Sequence, residues 1–170
     1  MTSTRRLCQY SLRILLLLMV AGVCVACLRG KVYDHYEQLP IAGWEKNDTI
    51  IFTVPPMATA DIYSIDLGLR TTGLYPFMSL TLVFEKEVVS TDTMAATAFT
   101  AHPVVTTLQC RLTDKQGHTQ GQGVNYYQHN FHVADLPLAQ GDSLRINIRH
   151  DMKREILPGI SDLGITLTKK

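Results

Sequence analysis

Hydrophobic and polar residues alternate in short segments through most of the chain from Thr49 onward. The alternation puts every second side chain on one face, which is the pattern of a half-buried β-strand. Turn-forming residues, such as Pro55-Pro56 and the Asp-Lys-Gln-Gly sequence at 114–117, separate the segments. The pattern predicts an all-β fold, an antiparallel β-sandwich of jelly-roll or Ig-like type. The strands expected from the pattern are residues 49–54, 62–69, 80–85, 106–112, 124–133, 144–149 and 160–167.

Two stretches lack this alternation. Residues 91–103 are small, polar and weakly patterned, which predicts a long, mobile loop. Residues 152–157 precede Pro158-Gly159 and are expected to form a single helical turn. Inside the strand at 106–112, Cys110 shares a face with Leu108 and Leu112, so we expect it to be buried and to behave as a small hydrophobe.

The N-terminal residues follow a different pattern. A continuous apolar run at 14–26 follows Arg5, Arg6 and Arg13, and it is shorter than the roughly 20 residues that a transmembrane helix needs. A positive flank followed by a short apolar run is the layout of a secretory signal. The run ends in Cys24-Val25-Ala26-Cys27, which resembles the lipobox of bacterial lipoproteins.

The lipobox resemblance implies a diacylglycerol thioether on Cys27 and a second acyl attachment, which together anchor a protein stably in a membrane. The chain is thus divided into a signal peptide at 1–26, a lipidated tether and first segment at 27–43, and a β-sandwich domain at 44–170. Cys8 and Cys24 leave with the signal and Cys27 is modified, so Cys110 is the one free thiol expected in the mature chain. No disulfide and no cofactor are predicted.

Charge argues against nucleic acid as a partner. The full chain has 16 basic and 15 acidic residues, and the signal peptide removes three basic residues and no acidic one. The mature chain is therefore slightly acidic and offers no electrostatic attraction for a phosphate backbone.

Two histidine-containing stretches could carry chemistry. His129 and His132 are three residues apart, and on a strand this spacing points the rings to opposite faces, so no metal site is predicted. His150 and Asp151 could form a base and the group that orients it, but no nucleophile motif accompanies them. A cryptic hydrolase using this pair is therefore the third of three hypotheses, and no catalytic residue is assigned.

The charged stretch from Arg149 to Glu155 has two simpler interpretations. It could be a solvated loop closed by local ion pairs, each worth under about 1 kcal/mol. It could instead dock a protein partner, because loops held by rigid sheets often carry function and arginine is favoured in interfaces. The partner-binding candidates are Arg149, Lys153, Arg154 and Glu155.

Aromatic residues leave a second class of function open. They could line a sugar-binding face or pack in the core, and a single tryptophan in the chain favours the core. The residues concerned are Trp44, Tyr75, Phe77, Tyr126, Tyr127 and Phe131.

The mature chain resembles the GldH lipoproteins, a gliding-motility-associated family of Bacteroidota. The most distinctive matching stretch is residues 148–164, Ile-Arg-His-Asp-Met-Lys-Arg-Glu-Ile-Leu-Pro-Gly-Ile-Ser-Asp-Leu-Gly. The other matching stretches are residues 32–36, 43–49, 67–70, 75–77, 121–124, 126–128 and 141–144.

This resemblance implies a non-enzymatic envelope lipoprotein, an accessory or structural component associated with gliding and the linked secretion machinery. It implies partner proteins in the envelope and supplies no catalytic residues. The residues after Cys27 contain neither an adjacent Asp nor an acidic cluster, which favours the outer membrane, facing the periplasm. The alternative function is an envelope glycan-binding β-sandwich module.

Overall fold

The computed structural model describes residues 30–90 and 103–170, and within these ranges the regular structure consists of β-strands. The strands are β1 (Lys31–Gln38), β2 (Trp44–Glu45), β3 (Ile50–Val54), β4 (Asp61–Thr72), β5 (Ser79–Val89), β6 (Val104–Arg111), β7 (Tyr126–Leu138), β8 (Ser143–His150), β9 (Ile156–Leu157) and β10 (Ile160–Lys169). The all-β prediction is confirmed. The expected loop at 91–103 lies outside the described residues except for Pro103.

Two four-stranded sheets form the sandwich. One has the order β1-β10-β4-β7, the other has the order β3-β8-β5-β6, and β2 and β9 form a separate two-stranded ribbon. Successive long strands repeatedly change sheets, and the pairs β4–β7, β4–β10, β5–β6, β5–β8 and β3–β8 are antiparallel. Eight strands in two such sheets make a jelly roll, so the jelly-roll alternative of the prediction is the observed one.

The first strand lies ahead of the sequence-based start of the sandwich at Trp44. Its charged residues follow no apolar alternation, which is why the segment resembled a tether. Its direction follows from three contacts: Asp34 accepts a hydrogen bond from Thr166, the Tyr36 ring lies over Gly164, and Leu39 N donates to Ser161 O. β1 therefore runs antiparallel to β10.

The core lies between the inward faces of the two sheets. Alternate residues of each long strand point inward, as the sequence pattern predicts. One sheet contributes Tyr63, Ile65, Leu67, Leu69, Leu163, Ile165 and Leu167, and the other contributes Phe52, Val54, Leu80, Leu82, Phe84, Cys110, Leu144, Ile146 and Ile148. Cys110 is 1% exposed, which confirms its predicted burial.

Four connections meet at one end of the sandwich, which we call the loop end: residues 39–49, 73–78, 112–125 and 151–159. Backbone hydrogen bonds join them in series. Lys46 N donates to Glu155 O, Thr72 N, at the end of β4 just before the connection at 73–78, donates to Gly159 O, and Leu112 N donates to Met78 O. The connections at 55–60 and 139–142 lie at the opposite end, where the last residues of β10 also lie.

The chain divides into two units, residues 1–31 and 32–170. Of the first unit, Gly30 and Lys31 alone are described, and Cys27 with the whole signal-like run lies outside the described residues. Among the residues that are described, no helix is long and apolar enough to cross a membrane.

Candidate docking site

The end of β8 places two neighbouring residues of the candidate stretch on opposite faces. Leu144, Ile146 and Ile148 point into the core, and the same alternation carries His150 inward and Arg149 outward. His150 is fully buried and Arg149 is exposed. The expectation of a wholly solvated loop is therefore wrong for His150, and extending the strand alternation by two residues would have shown this.

Both ring nitrogens of His150 are occupied by main-chain groups. Its Nε2 lies 3.2 Å from the carbonyl oxygen of Trp44, and Met152 N donates to Nδ1 at 3.4 Å. Because Nδ1 accepts, Nε2 carries the proton, so the ring is the neutral Nε2–H tautomer. Burial lowers the pKa of His150, which keeps it uncharged at neutral pH.

His150 is not placed to act as the general base that the hydrolase hypothesis requires. Neither hydrogen-bond partner of His150 is a carboxylate or a hydroxyl, and Asp151 is exposed to solvent. A general base needs a free nitrogen within reach of the proton that it removes. The ring instead packs edge-on against Trp44, with centroids 5.2 Å apart, and joins β8 to the β2–β9 ribbon.

Residues 151–155 are held at both ends by main-chain contacts. Asp151 N donates to Thr81 O at 2.8 Å, Thr81 N lies 3.5 Å from the Met152 sulfur, and Lys46 N donates to Glu155 O at 2.7 Å. The expected helical turn at 152–157 is wrong, because these residues form bends followed by β9, which pairs with β2. The pairing of β9 with β2 supplies hydrogen bonds that a single helical turn would lack.

The four partner-binding candidates all project outward from this braced segment. Arg149, Lys153, Arg154 and Glu155 are exposed. Within the described ranges, their side chains make no hydrogen bond and no ion pair. The interpretation of a loop closed by local ion pairs therefore finds no support in the geometry, and the charges are available to solvent or to a partner.

A groove of about 680 Å³ lies beside this segment, between β1, β4, β7 and β10. Exposed apolar side chains from three elements border it, namely Ile41, Leu74 and Tyr126. Arg70 and Asp162 also line it, with 3.7 Å between Arg70 Nη1 and Asp162 Oδ1. No pattern in the sequence predicts this groove, because its residues are far apart along the chain.

Most of the candidate sugar-binding aromatics are packed. Trp44 is fully buried, its Nε1 donates to Asp48 O at 2.9 Å, and Tyr75 and Phe77 pack edge-on against each other and against the core. Phe131 also packs against the core, and Tyr126 is 58% exposed. No continuous strip of exposed rings is therefore present among the described candidates.

The two histidines of β7 point to opposite faces, as expected. His129 is buried and lies 3.2 Å from Thr71 Oγ1, and burial lowers its pKa. His132 is exposed and lies 3.0 Å from Asp66 Oδ1. In the part of the chain that the structure describes, no group of three His, Cys, Asp or Glu side chains could hold a metal ion.

Comparison with known proteins identifies the family. The model of the family described as GldH lipoprotein matches residues 31–167. The chain belongs to the GldH lipoprotein family. A curated member, the gliding motility lipoprotein GldH of Flavobacterium johnsoniae, is 24% identical over 164 residues, which cover 91% of this chain and 95% of that protein. As a member of the GldH lipoprotein family, the chain is a cell-envelope lipoprotein linked to gliding motility.

Two solved structures illustrate a distant similarity to this GldH-family chain. The VP2 subviral particle of infectious bursal disease virus gives a TM-score of 0.36 at 13% identity, covering 82% of this chain and 33% of the viral one. Eiger TNF from S. frugiperda gives 0.28 at 13% identity, covering 84% and 94%. The chain thus spans about a third of the viral protein, and these likenesses carry no functional argument.

Proposed function

We propose that this GldH-family lipoprotein is a non-enzymatic accessory component of the gliding machinery and the secretion apparatus linked to it. Cys27 would carry the lipid that anchors it in the outer membrane, with the domain facing the periplasm. The segment from Arg149 to Gly159 would dock an envelope protein. The observation that carries this proposal is that the segment is fixed by backbone contacts while its charged side chains have no partner among the described residues.

The bracing matters because a docking loop that is already ordered loses little conformational entropy on binding. Charged side chains that would form internal ion pairs would have to break them before contacting a partner. Lys153 and Arg154 make no such pairs in the described part of the chain, so no internal ion pair is lost when a partner approaches.

The hydrogen-bond partners of the two buried histidines support a non-enzymatic role. His150 bonds to the main chain of Trp44 and Met152, and His129 bonds to Thr71. Both rings are buried, and His150, which is fully buried between β8 and the β2–β9 ribbon, is bonded to main-chain groups alone.

Glycan binding is the second candidate, and Tyr126 is the observation that favours it. The ring is 58% exposed at the border of the groove, where Gln38 and Arg70 could donate hydrogen bonds to a sugar. Binding of envelope polysaccharide fragments that is abolished by Tyr126→Ala would establish this role. Unchanged binding in that variant would remove it.

The docking proposal is tested by removing the outward charges. Lys153→Ser/Arg154→Ser and Arg154→Ser alone should melt within a few degrees of the wild type, since both side chains are exposed and neither makes a hydrogen bond or an ion pair among the described residues. Both variants should lose a protein that co-purifies with the wild type from solubilised membranes. Arg145→Ser is the matched control, because Arg145, like Arg154, is an exposed arginine without an ion pair in the described ranges, and it lies near the start of β8, away from the segment.

The proposal fails if the partner is retained by the double variant. Lowered melting with the partner retained would make the segment a structural cap of the sandwich. Loss of the partner in Arg145→Ser to the same degree would show a general charge effect rather than docking at this segment.

A further inference from the structure

Strand β6 lies at the edge of its sheet and exposes an uncharged run of residues. Val104 and Val105 are 54% and 59% exposed, and Thr106 and Thr107 are exposed as well. β-branched residues of this kind favour an extended backbone. From Val104 to Cys110 the strand has no charged residue and no proline, and it pairs with β5 without a register shift. A flat, uncharged edge of this kind is a template for pairing with another chain.

The other three edge strands carry features that discourage such pairing. β1 contains charged residues, among them Asp34 and Glu37, and β3 is only five residues long. β7 contains Pro137, has a register irregularity, and is partly covered by backbone hydrogen bonds between Gln122 and Gln128. Charges, proline, bulges and shortness are the devices by which edge strands avoid pairing with other chains. Among the edge strands that the structure describes, β6 alone lacks all of them.

Two hydrogen bonds show which main-chain groups of β6 point away from β5. Leu112 N donates to Met78 O directly beyond the β5–β6 ladder. Because antiparallel pairs alternate between bonded and non-bonded, the even-numbered residues of β6 bond to β5. Asp151 N donates to Thr81 O, so the odd-numbered residues of β5 bond to β8, which gives the same alternation. The main-chain groups of the odd-numbered residues of β6 therefore point to the free edge.

These free main-chain groups lie symmetrically about Thr107. Val105 and Gln109 lie two residues to either side of it, and each of the three residues offers an N–H and a C=O group. An antiparallel copy of the same strand, centred on Thr107, pairs Thr107 with Thr107 and Val105 with Gln109, and this satisfies all of these groups. A two-fold axis at Thr107 therefore makes the edge self-complementary.

Charge favours a second copy of the chain as the occupant of this edge. Arg111 lies on the outer face of the sheet, as do Glu85 and Glu87 of β5, and none of the three makes an ion pair among the described residues. In the symmetric pairing, Arg111 lies opposite Pro103 of the second copy. Glu87 of that copy is one strand farther, so its backbone is about 10 Å from that of Arg111, within reach of two long side chains of opposite charge. The two-fold axis produces this attraction twice.

We propose that β6 pairs antiparallel with β6 of a second copy of this chain, so that two four-stranded sheets join into one sheet of eight strands. On the inner face, Val104 and Thr106 of one copy would lie beside Cys110 and Leu108 of the other, which covers the exposed start of the strand. The interface lies on β5 and β6, so this inference goes beyond the proposed docking segment and does not depend on it.

Thiol crosslinking in intact cells tests the pairing. The full chain carries Thr107→Cys and is treated with a short bismaleimide. Symmetric pairing places residue 107 of the two copies side by side, so we expect a covalent dimer of the chain. Ile51→Cys is the control, because Ile51 is 47% exposed on β3, the other edge strand of the same sheet. The wild type, in which Cys110 is buried, gives the background.

Charge reversal tests the two-fold register. Arg111→Glu, introduced into the Thr107→Cys chain, places like charges opposite each other and should reduce the covalent dimer at least fivefold. Adding Glu85→Arg and Glu87→Arg to the same chain restores opposite charges across the interface and should restore the dimer. Rescue of this kind would not follow if Arg111→Glu merely damaged the fold.

Proline substitutions test the direction of the hydrogen bonds. Thr107→Pro removes an N–H that points to the free edge, whereas Thr106→Pro removes one that bonds to β5. Thr107→Pro should therefore melt at a clearly higher temperature than Thr106→Pro and still be monomeric. Light scattering of the purified full chain measures the mass, which should be that of two chains for the wild type and of one chain for Thr107→Pro.

The inference is overturned if residue 107 gives no covalent dimer, if it crosslinks to a different protein, or if residue 51 gives a dimer in equal yield. A dimer that is insensitive to both Arg111→Glu and Thr107→Pro would also overturn it, because the two copies would then meet elsewhere. None of these outcomes affects docking at residues 149–159, which is tested through Lys153 and Arg154.

Discussion

A Cβ on Gly68 would overlap the hydroxyl group of Tyr36. Gly68 pairs with Gly164 across β4 and β10, and together they leave a flat slot on the outer face of the sheet. The Tyr36 ring lies in this slot, and Gln128 on β7 donates to its hydroxyl at 2.9 Å. One side chain of the edge strand β1 thereby contacts every other strand of its sheet.

Gly68→Ala should therefore displace Tyr36 and destabilise the domain by about 1–3 kcal/mol, the usual cost of forcing extra atoms into a packed site. Urea denaturation of the purified protein measures this. Gly73→Ala is the control, because an added Cβ there would meet nothing within 4 Å. That substitution should change stability by less than about 1 kcal/mol.

A double-mutant cycle separates the slot from other effects of Gly68→Ala. In a Tyr36→Ala background the added methyl group has no ring to displace, so most of its cost should disappear. An undiminished cost in that background would contradict the account of Tyr36 and the glycine slot.

Cys110 should be unreactive in the folded protein. It is 1% exposed, and burial raises the pKa of its thiol to about 12, so almost no thiolate is available for alkylation at pH 8. Mass spectrometry of the peptide that contains Cys110, after iodoacetamide treatment with and without denaturant, checks this. Rapid modification without denaturant would show that the strand opens in the native state.

The lipid anchor is tested at Cys27. Replacement by Ser removes the thiol that would carry the diacylglycerol, so Cys27→Ser should move the protein from the membrane fraction to the soluble fraction and abolish palmitate labelling. Cys24→Ser is the control, because the lipobox places a small residue directly before the lipidated cysteine, and Ala26 precedes Cys27 whereas Val23 precedes Cys24. Membrane retention of the Cys27 variant would contradict lipidation at this residue.

Strand positions were predictable wherever one face of a strand is buried. In β4, β5 and β8 the alternation of apolar and polar residues follows the observed burial over most of each strand, with Ile62, Gly68 and Val89 as exceptions. β1 was not predicted, because it is an edge strand whose charged residues are exposed. Its packing against the sheet depends on Tyr36, which contacts glycines that are far away in the sequence. The alternation of apolar and polar residues shows which face of a strand is buried, but it does not show which distant residues the strand contacts.

The charged part of the candidate site was predictable, and the groove was not. The density of charge at 149–155 was visible in the sequence, and the structure places those residues outward. Ile41, Leu74 and Tyr126 converge only because the jelly-roll topology brings three separate connections to one end. The expected helical turn failed because pairing with Trp44 and Glu45 overrode the local preference of residues 156–157.

The burial of His150 has a consequence for stability in mild acid. The pKa of His150 is lowered in the folded protein, chiefly by burial, whereas an unfolded chain binds the proton near pH 6.5. Below that pH the unfolded state therefore binds more protons than the folded state, so the free energy of unfolding falls as the pH falls. His129, which is also buried with a lowered pKa, adds to the same slope.

His150→Gln should flatten this dependence. A glutamine amide can donate to Trp44 O and accept from Met152 N without titrating, so the variant should lose less stability than the wild type between pH 7 and pH 5. Unfolding free energies from urea titrations at each pH measure the slope, with His35→Gln as a control at an exposed histidine. Carboxylates such as Asp61 and Asp135, whose pKa values are lowered, lose their contribution in a more acidic range and do not interfere. An unchanged slope in His150→Gln would mean that His150 takes up a proton without unfolding the strand end.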